Sequence, residues 1–319
     1  MSQATIDKIL GLKDDVVIDI SHLTKDYGKG RGIFDISFKV PKGCTFGYCG
    51  TNGAGKTTTL RHIMGFLKPD SGTVRVNGLD PWKQGETIKR SIGYLPGEIA
   101  FPAVENGSAF LKSQAELIGL TDMSKAERII NAMQLDPTAN LKRMSKGMKQ
   151  KTAIVATFMA SPDIILLDEP TTGLDPLMRE AFIEILEEEK ARGATILMSN
   201  HMFDELEETC DYVGFINEGH LIDIVDMEEI HKRPFREFNV CFIKEADYKK
   251  AFTDPRFNVI MRVDNFLQVI VRLDGKTADL AVAELAKYPV KQCTEIKYTL
   301  EKYFLENFGG NNNGNSDQK

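Results

Sequence analysis

The chain has 319 residues, 42% hydrophobic and 27% charged, which is enough to form one large core and a smaller second one. Its formal net charge of −6 at pH 7 argues against a nucleic-acid partner, because such partners bind basic surfaces. No window approaches about 18 uninterrupted apolar residues, so we expect no membrane span. Residues 1–15 carry charges throughout, and we expect no signal peptide there.

The first predicted elements are strands. Residues 16–20 and 33–40 alternate apolar and polar side chains, as half-buried antiparallel strands do, and residues 73–76 before Asn77-Gly78 add a hairpin element. We therefore expect a small antiparallel sheet beside the main one.

Residues 50–57, Gly-Thr-Asn-Gly-Ala-Gly-Lys-Thr, match the pattern G-x-x-x-x-G-K-[ST]. In this pattern glycines bring backbone N–H groups close to phosphate oxygens, the lysine neutralises charge, and the hydroxyl reaches a magnesium ion. A buried-type strand over residues 44–49 precedes the loop and a helix over residues 56–66 follows, which argues against an incidental glycine-rich turn. The predicted nucleotide-binding residues of this loop are Gly50, Asn52, Gly53, Ala54, Gly55, Lys56, Thr57 and Thr58.

From about residue 103 to residue 159 the apolar residues recur at helical spacing, which predicts a helical subdomain. The segment Met144-Ser145-Lys146-Gly147-Met148 opens its last helix, so a hydroxyl and free N–H groups could face an anion there. Ser145 is equally plausible as a simple N-cap of that helix.

The next predicted strands are both buried. Ile164 to Leu167 form an apolar run that ends in Asp168 and Glu169, and residues 195–199 form another that ends in Asn200-His201. Asp168 is placed to hold magnesium as a second metal contact beside Thr57, and Glu169 to polarise the attacking water. Taken alone, the two acids are also compatible with a solvated turn, and a lone histidine at a strand end is more often a satisfied surface residue.

After Gly219 the pattern changes. Strands are predicted over residues 238–243, 258–263, 266–273 and 290–297, and helices over residues 246–252 and 278–288. Their β-α-β-β-α-β order is that of a ferredoxin-like fold. A last helix over residues 299–308 carries an apolar face, which we interpret as packed core rather than as a partner groove. Residues 309–319 cannot bury apolar area and are predicted to be disordered.

The order of these motifs resembles that of the nucleotide-binding subunits of ATP-binding-cassette (ABC) transporters, over roughly residues 16–230. The resemblance implies an α/β fold of the P-loop NTPase type, with a parallel core sheet, an antiparallel β subdomain and a helical subdomain at about residues 100–160. We expect this ATP-binding domain to span residues 1–230, followed by a small α+β accessory domain over residues 231–308.

The resemblance also implies roles for further residues. Ser145 and Gly147 would contact phosphates bound by a second subunit, and Asp175 in Leu174-Asp175 would lie along the dimer seam; Asp175 before Pro176 is also typical of a helix N-cap. His201 would contact the terminal phosphate and sense hydrolysis. Tyr27 would stack on adenine, its alternative being an edge-strand tyrosine.

The chain departs from the family pattern at two places. The signature, usually L-S-G-G-Q, has Met144, Lys146 and Met148 in place of leucine, the first glycine and the glutamine. Gly97 stands where the family usually has a magnesium-contacting glutamine, and we hypothesise that Glu98 replaces it through a water molecule. These departures leave open a degenerate cassette that binds ATP without turnover, although Glu169 and His201 argue against it.

The function expected from this resemblance is ATP hydrolysis, with Mg²⁺ as cofactor, in a dimer with an identical or related subunit that drives separate transmembrane permease chains. The permease would dock beside residues 97–104, and the subunit would be cytoplasmic, peripheral on the inner face of the membrane. The extension ending in Leu300-Glu301-Lys302-Tyr303-Phe304 resembles those of bacterial drug and antibiotic exporters, which favours export. An importer ATPase and a soluble ABC protein outside transport are the alternatives.

The chain has five cysteines without metal-type spacing, which we interpret as reduced core thiols: Cys44, Cys49, Cys210, Cys241 and Cys293.

Overall fold

The structure is a computed structural model that describes residues 15–232, 235–254, 257–274, 283 and 285–308. The chain divides into two compact units, one ending at Asp226 and one beginning at Met227. This division falls a few residues before the domain boundary that we expect at residue 230. Three predictions fall outside the described residues. They are the absence of a signal peptide, the disordered tail and most of the helix over residues 278–288.

The first unit alternates strands and helices. Its strands are β1 (Val16–Asp26), β2 (Gly32–Pro41), β3 (Thr45–Cys49), β4 (Ser71–Val76), β5 (Ile92–Leu95), β6 (Ile164–Asp168), β7 (Thr195–Asn200), β8 (Tyr212–Asn217) and β9 (His220–Asp226). Its helices are α1 (Lys56–Ile63), α2 (Pro81–Lys89), α3 (Gly107–Ile118), α4 (Ser124–Ala132), α5 (Lys146–Phe158), α6 (Pro176–Ala191) and α7 (Phe203–Thr209).

The main sheet has the strand order β5-β6-β7-β3-β8-β9. All neighbours are parallel except β9, which runs antiparallel to β8. Strands β3, β6 and β7 are buried at every position, as their continuous apolar runs predict. Because β6, β7 and β3 are neighbours and parallel, the segments that follow them meet at one edge of the sheet.

A second, antiparallel sheet has the order β2-β1-β4, as the alternating pattern predicts. Between β5 and β6 the chain forms α3, α4 and α5, which are the predicted helical subdomain. The predicted helix after the glycine loop is wrong at its end: α1 stops at Ile63 instead of continuing to Phe66. Gly65 adopts a left-handed φ of 67°, the conformation that ends helices.

The second unit contains strands β10 (Phe235–Phe242), β11 (Asn258–Val263), β12 (Gln268–Asp274) and β13 (Val290–Ile296), and helices α8 (Met227–His231), α9 (Glu245–Thr253) and α10 (Leu300–Phe308). Its sheet is antiparallel throughout, in the order β11-β12-β10-β13, which is the strand order of a ferredoxin-like sheet. The predicted start of β12 at Phe266 is wrong. Residues 264–266 form a 3₁₀ turn, in which Phe266 is 71% exposed.

Charged and apolar contacts hold this second unit together. Glu237 on β10 is only 2% exposed and accepts hydrogen bonds from Arg272 and Lys302. Although burial alone would raise it, these two cations hold the pKa of Glu237 below its ordinary value. On α10, Leu300 and Tyr303 are buried, so the interpretation of this helix face as packed core is confirmed for both residues. Among the residues that the structure describes, no helix is long and apolar enough to cross a membrane.

Candidate active site

The glycine loop lies between the buried strand β3 and helix α1. A Cβ atom at Gly50 would lie 2.4 Å from the carbonyl oxygen of Ile216, so only glycine fits there. Gly55 has a φ of 114°, and a Cβ atom there would lie 2.5 Å from the Ile33 side chain. The loop can therefore take this course only with glycine at these two motif positions.

Lys56 is almost fully buried under the loop that it follows. Its ammonium group donates hydrogen bonds to the carbonyl oxygens of Gly50, at 2.7 Å, and Thr51, at 3.1 Å. The same Nζ atom lies 3.6 Å from a carboxylate oxygen of Glu169. A cation with 4% exposure is thus held where the loop and the end of β6 meet.

The two acids at the end of β6 have different surroundings. Asp168 is 1% exposed, so it does not belong to a solvated turn. Each of its oxygens accepts one hydroxyl: Thr57 donates to Oδ2 at 2.7 Å and Ser199 to Oδ1 at 2.5 Å. Glu169 is more exposed, and its backbone is held at a positive φ of 50° by hydrogen bonds from its N–H to the backbone oxygen and the hydroxyl of Ser199.

His201 follows β7 and lies beside Glu169. Its Nδ1 atom is 3.9 Å from the Glu169 carboxylate, and its side chain is 48% exposed. The side-chain oxygen of Asn200 accepts the backbone N–H groups of His201, at 2.7 Å, and Met202, at 3.0 Å. The histidine is therefore fixed through its backbone while its ring remains open to solvent.

A cavity of about 900 Å³ opens between the glycine loop, the acids and the antiparallel sheet. The predicted site residues that line it are Tyr27, Asn52, Gly53, Gly55, Lys56, Thr57, Thr58, Asp168 and Glu169. Tyr27 lies one residue beyond β1 and is half exposed, so it is not a strand residue. Gly50, Ala54, Ser145, Gly147, Asp175 and His201 are not among the lining residues.

Several lining residues were missed by the sequence analysis. Arg61 on α1, Tyr94 on β5, and the stacked rings of Phe34 and His220, 5.4 Å apart, all reach the cavity. No motif contains them, and Phe34 meets His220 only because β9 of the main sheet lies against β2 of the antiparallel sheet. Burial, together with the nearby Asp168, raises the pKa of Tyr94 to about 12, so this hydroxyl keeps its proton near neutral pH.

The two predicted seam elements are helix caps within the chain. Ser145 accepts the backbone N–H of Met148 at 3.2 Å, and Asp175 accepts that of Met178 at 3.0 Å. Gly147 packs tightly, since a Cβ atom there would lie 2.7 Å from the carbonyl oxygen of Gly173. The N-cap interpretation is confirmed for both residues, and it leaves the exposed tip of α5 available to another molecule.

Gly97 and Glu98 both line the cavity. A Cβ atom at Gly97 would lie 3.2 Å from Oδ2 of Asp168, so this position directly adjoins the buried carboxylate.

The five cysteines were expected to be core thiols. Cys44, Cys49 and Cys210 are buried as expected, and Cys241 is half-buried. The prediction is wrong for Cys293, which is exposed on the edge strand β13.

The class of protein follows from three features: a glycine loop between a strand and a helix, two acids at the end of a parallel strand of the same sheet, and a lysine between the loop and these acids. Together with the largely parallel main sheet, they define a P-loop nucleoside triphosphatase.

Comparisons with known proteins narrow this class. The family model described as "ABC transporter" matches residues 33–172. The bacitracin transport ATP-binding protein BcrA of Enterococcus faecalis is 34% identical over 309 residues, which cover 93% of this chain and 97% of the relative. The linearmycin resistance ATP-binding protein LnrL of Bacillus subtilis is 33% identical over 65% of this chain and 68% of its own length. A solved structure of an ATP-binding subunit of an ABC transporter is 30% identical with a TM-score of 0.62, covering 68% of this chain and 92% of that one.

The chain therefore belongs to the family of ABC transporter ATP-binding proteins. It binds ATP and is an ATPase of that family. The α/β fold predicted from its motifs is confirmed by the same comparisons.

Proposed function

We propose that this chain is the ATP-hydrolysing subunit of an ABC exporter and that its catalytic centre is the cavity between the glycine loop and the end of β6. The observation that carries the proposal is the convergence of Lys56, Thr57, Asp168 and Glu169 on that single cavity. The first two follow β3 and the last two end or follow β6, and both strands are parallel to β7, which lies between them. Phosphoryl transfer depends mostly on positioning and charge stabilisation, and this arrangement supplies both.

Each side chain has one task in this proposal. Lys56 exchanges its two carbonyl partners for phosphate oxygens when ATP binds, with backbone N–H groups of residues 53–57 on the same phosphates. Glu169 orients the attacking water, and His201, whose Nδ1 atom lies 3.9 Å from that carboxylate, faces the terminal phosphate from the other side. Tyr27, half exposed at the cavity rim, stacks on the base.

A magnesium ion fits the oxygen atoms that this site offers. Thr57 and Asp168 supply a hydroxyl and a carboxylate 2.7 Å apart, which are ligand types that Mg²⁺ prefers. When bound there, Mg²⁺ would neutralise charge on the phosphate oxygens. Ser199 would keep Asp168 oriented, because its hydroxyl bonds the other carboxylate oxygen.

The proposed catalyst is a pair of cassettes. Ser145 is exposed at the tip of α5 and does not line its own chain's cavity. The free N–H groups and dipole of this helix tip would therefore serve the phosphates of a second copy, or of a related subunit. Asp175, also exposed at the start of α6, would lie along the seam.

The proposed permease contact is a second cavity, of about 460 Å³, beside the helical subdomain. The apolar residues Ile99, Ala100 and Phe101 line it, and Phe101 packs edge to face on Phe110 of α3 at 4.7 Å. An apolar helix face from a membrane subunit would pack on this part of the lining, beside the charged Lys89 and Arg90. The names of the relatives, which concern bacitracin transport and linearmycin resistance, support export as the direction. In this proposal the subunit lies at the inner face of the membrane, held there by its permease.

The central experiment compares Glu169→Gln, Lys56→Ala and the exposed control Glu86→Gln. Glu169→Gln should bind ATP yet stop turnover, so that it accumulates as an ATP-bound dimer in size-exclusion chromatography with light scattering. Lys56→Ala should lose most phosphate affinity in calorimetric titration, while the control should match the wild type.

Three outcomes would contradict the proposal. Unchanged turnover in Lys56→Ala would overturn the assignment of the site, and unchanged turnover in Glu169→Gln would overturn the role of the glutamate. A monomeric, ATP-bound Glu169→Gln variant would refute the paired mechanism. The partnership with a permease is tested by co-purification from detergent with the membrane protein encoded by a neighbouring gene.

A further inference from the structure

Glu205 on α7 is a buried carboxylate outside every motif that the sequence analysis identified. It is 5% exposed, and its Oε2 atom accepts hydrogen bonds from the Thr171 hydroxyl, at 2.6 Å, and from the side-chain amide of Asn200. Its other oxygen, Oε1, lies 2.9 Å from the guanidinium of Arg179. One charged group is thus surrounded by partners from three separate segments.

Each of these partners belongs to a segment that carries a proposed active-site residue. Thr171 lies two residues after Glu169, in the turn where Thr172 donates a hydrogen bond to the Glu169 carboxylate at 3.4 Å. Asn200 precedes His201 and accepts that residue's backbone N–H. Arg179 lies on α6, the helix that Asp175 caps.

We propose that Glu205 is a positioning residue that fixes His201 relative to Glu169 during ATP hydrolysis. This inference rests on the catalytic roles proposed above for those two residues. Asn200 is the direct link, because its amide group donates to Glu205 while its oxygen accepts the backbone N–H groups of His201 and Met202. Without the carboxylate, the amide loses the hydrogen bond that holds its NH₂ group, and only the two bonds accepted by its oxygen still orient it against the His201 backbone.

The energetic reason is that a buried charge must keep its partners. An unpaired carboxylate in this interior is strongly unfavourable, so Glu205 restricts Thr171, Asn200 and Arg179 to one arrangement. The gap between His201 and Glu169 is already 3.9 Å, so a further small displacement would spoil their common geometry. A misplacement of about 1 Å at reacting groups can lower a rate by about 100-fold.

The test exchanges the two polar groups across the hydrogen bond. Glu205→Gln places an amide opposite the Asn200 amide, and Asn200→Asp places a carboxylate opposite Glu205, so each single variant breaks the bond. The double variant, Asn200→Asp with Glu205→Gln, restores an amide facing a carboxylate and keeps the summed charge. The control is Glu208→Gln, an exposed carboxylate on the same helix.

We expect each single variant to lower kcat by about 10- to 100-fold while the Kd for ATP changes less than about twofold. The reason is that Asn200 meets the phosphate-binding loop through its backbone carbonyl, which accepts the Gly50 N–H, and the substitutions keep that backbone bond. The double variant should recover at least about tenfold of the kcat lost by the worse single variant, and the control should match the wild type. Thermal unfolding of all variants separates lost positioning from lost folding.

The inference is overturned if the singles retain wild-type kcat, if the double variant is no faster than the worse single, or if kcat follows only the unfolding temperature. Glu169→Gln, measured in parallel, separates the two levels. If it abolishes turnover while the Glu205 variants do not lower it, the proposed function stands and this inference fails. If Glu169→Gln leaves turnover intact, the proposed function fails first.

Discussion

At Gly97 the family resemblance and the packing of the structure lead to opposite expectations for a substitution. The resemblance implies that a glutamine at this position would restore a magnesium contact and raise activity. The structure leads to the opposite expectation, because a Cβ atom at position 97 would lie 3.2 Å from Oδ2 and 3.3 Å from Cγ of Asp168, a few tenths of an ångström inside ordinary contact. We therefore predict that both Gly97→Ala and Gly97→Gln lower ATP turnover.

The size of the effect follows from how Asp168 is held. It can yield to the new methyl group only by stretching its hydrogen bond to Thr57, at 2.7 Å, or that to Ser199, at 2.5 Å. A hydrogen bond to a charged group contributes about 1.5–3 kcal/mol, so its complete loss corresponds to roughly a 10- to 100-fold lower rate. Because the required shift is small, we expect the lower end, about tenfold in kcat.

The assay is steady-state ATP hydrolysis against magnesium concentration, with Gly85→Ala as the control. A Cβ atom at Gly85 would lie no nearer than 3.7 Å to any neighbour, so this control should match the wild type. The backbone φ of Gly97 is outside the left-handed region, so alanine causes no backbone strain that would confuse the result. A Gly97→Gln variant as active as the wild type, or more active, would refute the packing argument.

Three further predictions concern other parts of the chain. Gly50→Ala should weaken ATP binding more than Gly53→Ala, because a Cβ atom at Gly50 would lie 2.4 Å from a carbonyl oxygen of β8. Alanine at Gly53 is penalised only by the left-handed φ of 83°, by about 1–2 kcal/mol, since a Cβ atom there meets nothing within 4 Å; equal losses in calorimetric titration would contradict this. A thiol reagent should modify Cys293 in the native protein and spare Cys49, because burial raises the pKa of Cys49 to about 12, and mass spectrometry of the modified chain checks the order. Since the folded-state pKa of Glu237 lies below its ordinary 4.5, its stabilising effect should be complete above that pH and disappear as the pH falls further, so the difference in unfolding temperature between the wild type and Glu237→Gln should narrow under acid.

The parts of the fold that could be predicted from the sequence are those where one local pattern permits only one structure. A glycine loop must lie between a strand and a helix, and the apolar run before Asp168 is too short and too uniform for anything but a buried strand. The start of β12 could not be predicted, because Phe266 continues the apolar pattern although it lies in an exposed turn. Hydrophobic periodicity records which side chains are apolar and does not record which are buried. An exposed aromatic residue at a strand end therefore gives the same sequence pattern as a buried one.

The lining of the cavity was harder to predict than its motifs. His220 and Phe34 stack at its rim because β9 of the main sheet lies against the start of β2 in the other sheet, where Phe34 donates its N–H to the carbonyl oxygen of Gly219. No pattern along the chain predicts this contact between the two sheets. The role of Glu205 could not be predicted from the sequence for a related reason. Its importance lies in three partners that are distant in sequence or belong to different elements, and no spacing along the chain connects them.

The backbone at Glu169 shows why two adjacent acids can face one cavity. Successive side chains of an extended strand point to opposite faces, so a strand continuing through Asp168 and Glu169 would direct them apart. Instead Glu169 leaves the extended conformation at a φ of 50°, which is uncommon for a residue with a side chain, and Ser199 on β7 accepts its N–H through both its backbone oxygen and its hydroxyl. The hydroxyl that holds Glu169 in this conformation also donates to Asp168. One residue of the neighbouring strand therefore orients both carboxylates, which is why removing the Ser199 hydroxyl should impair the metal contact and the water-orienting carboxylate together.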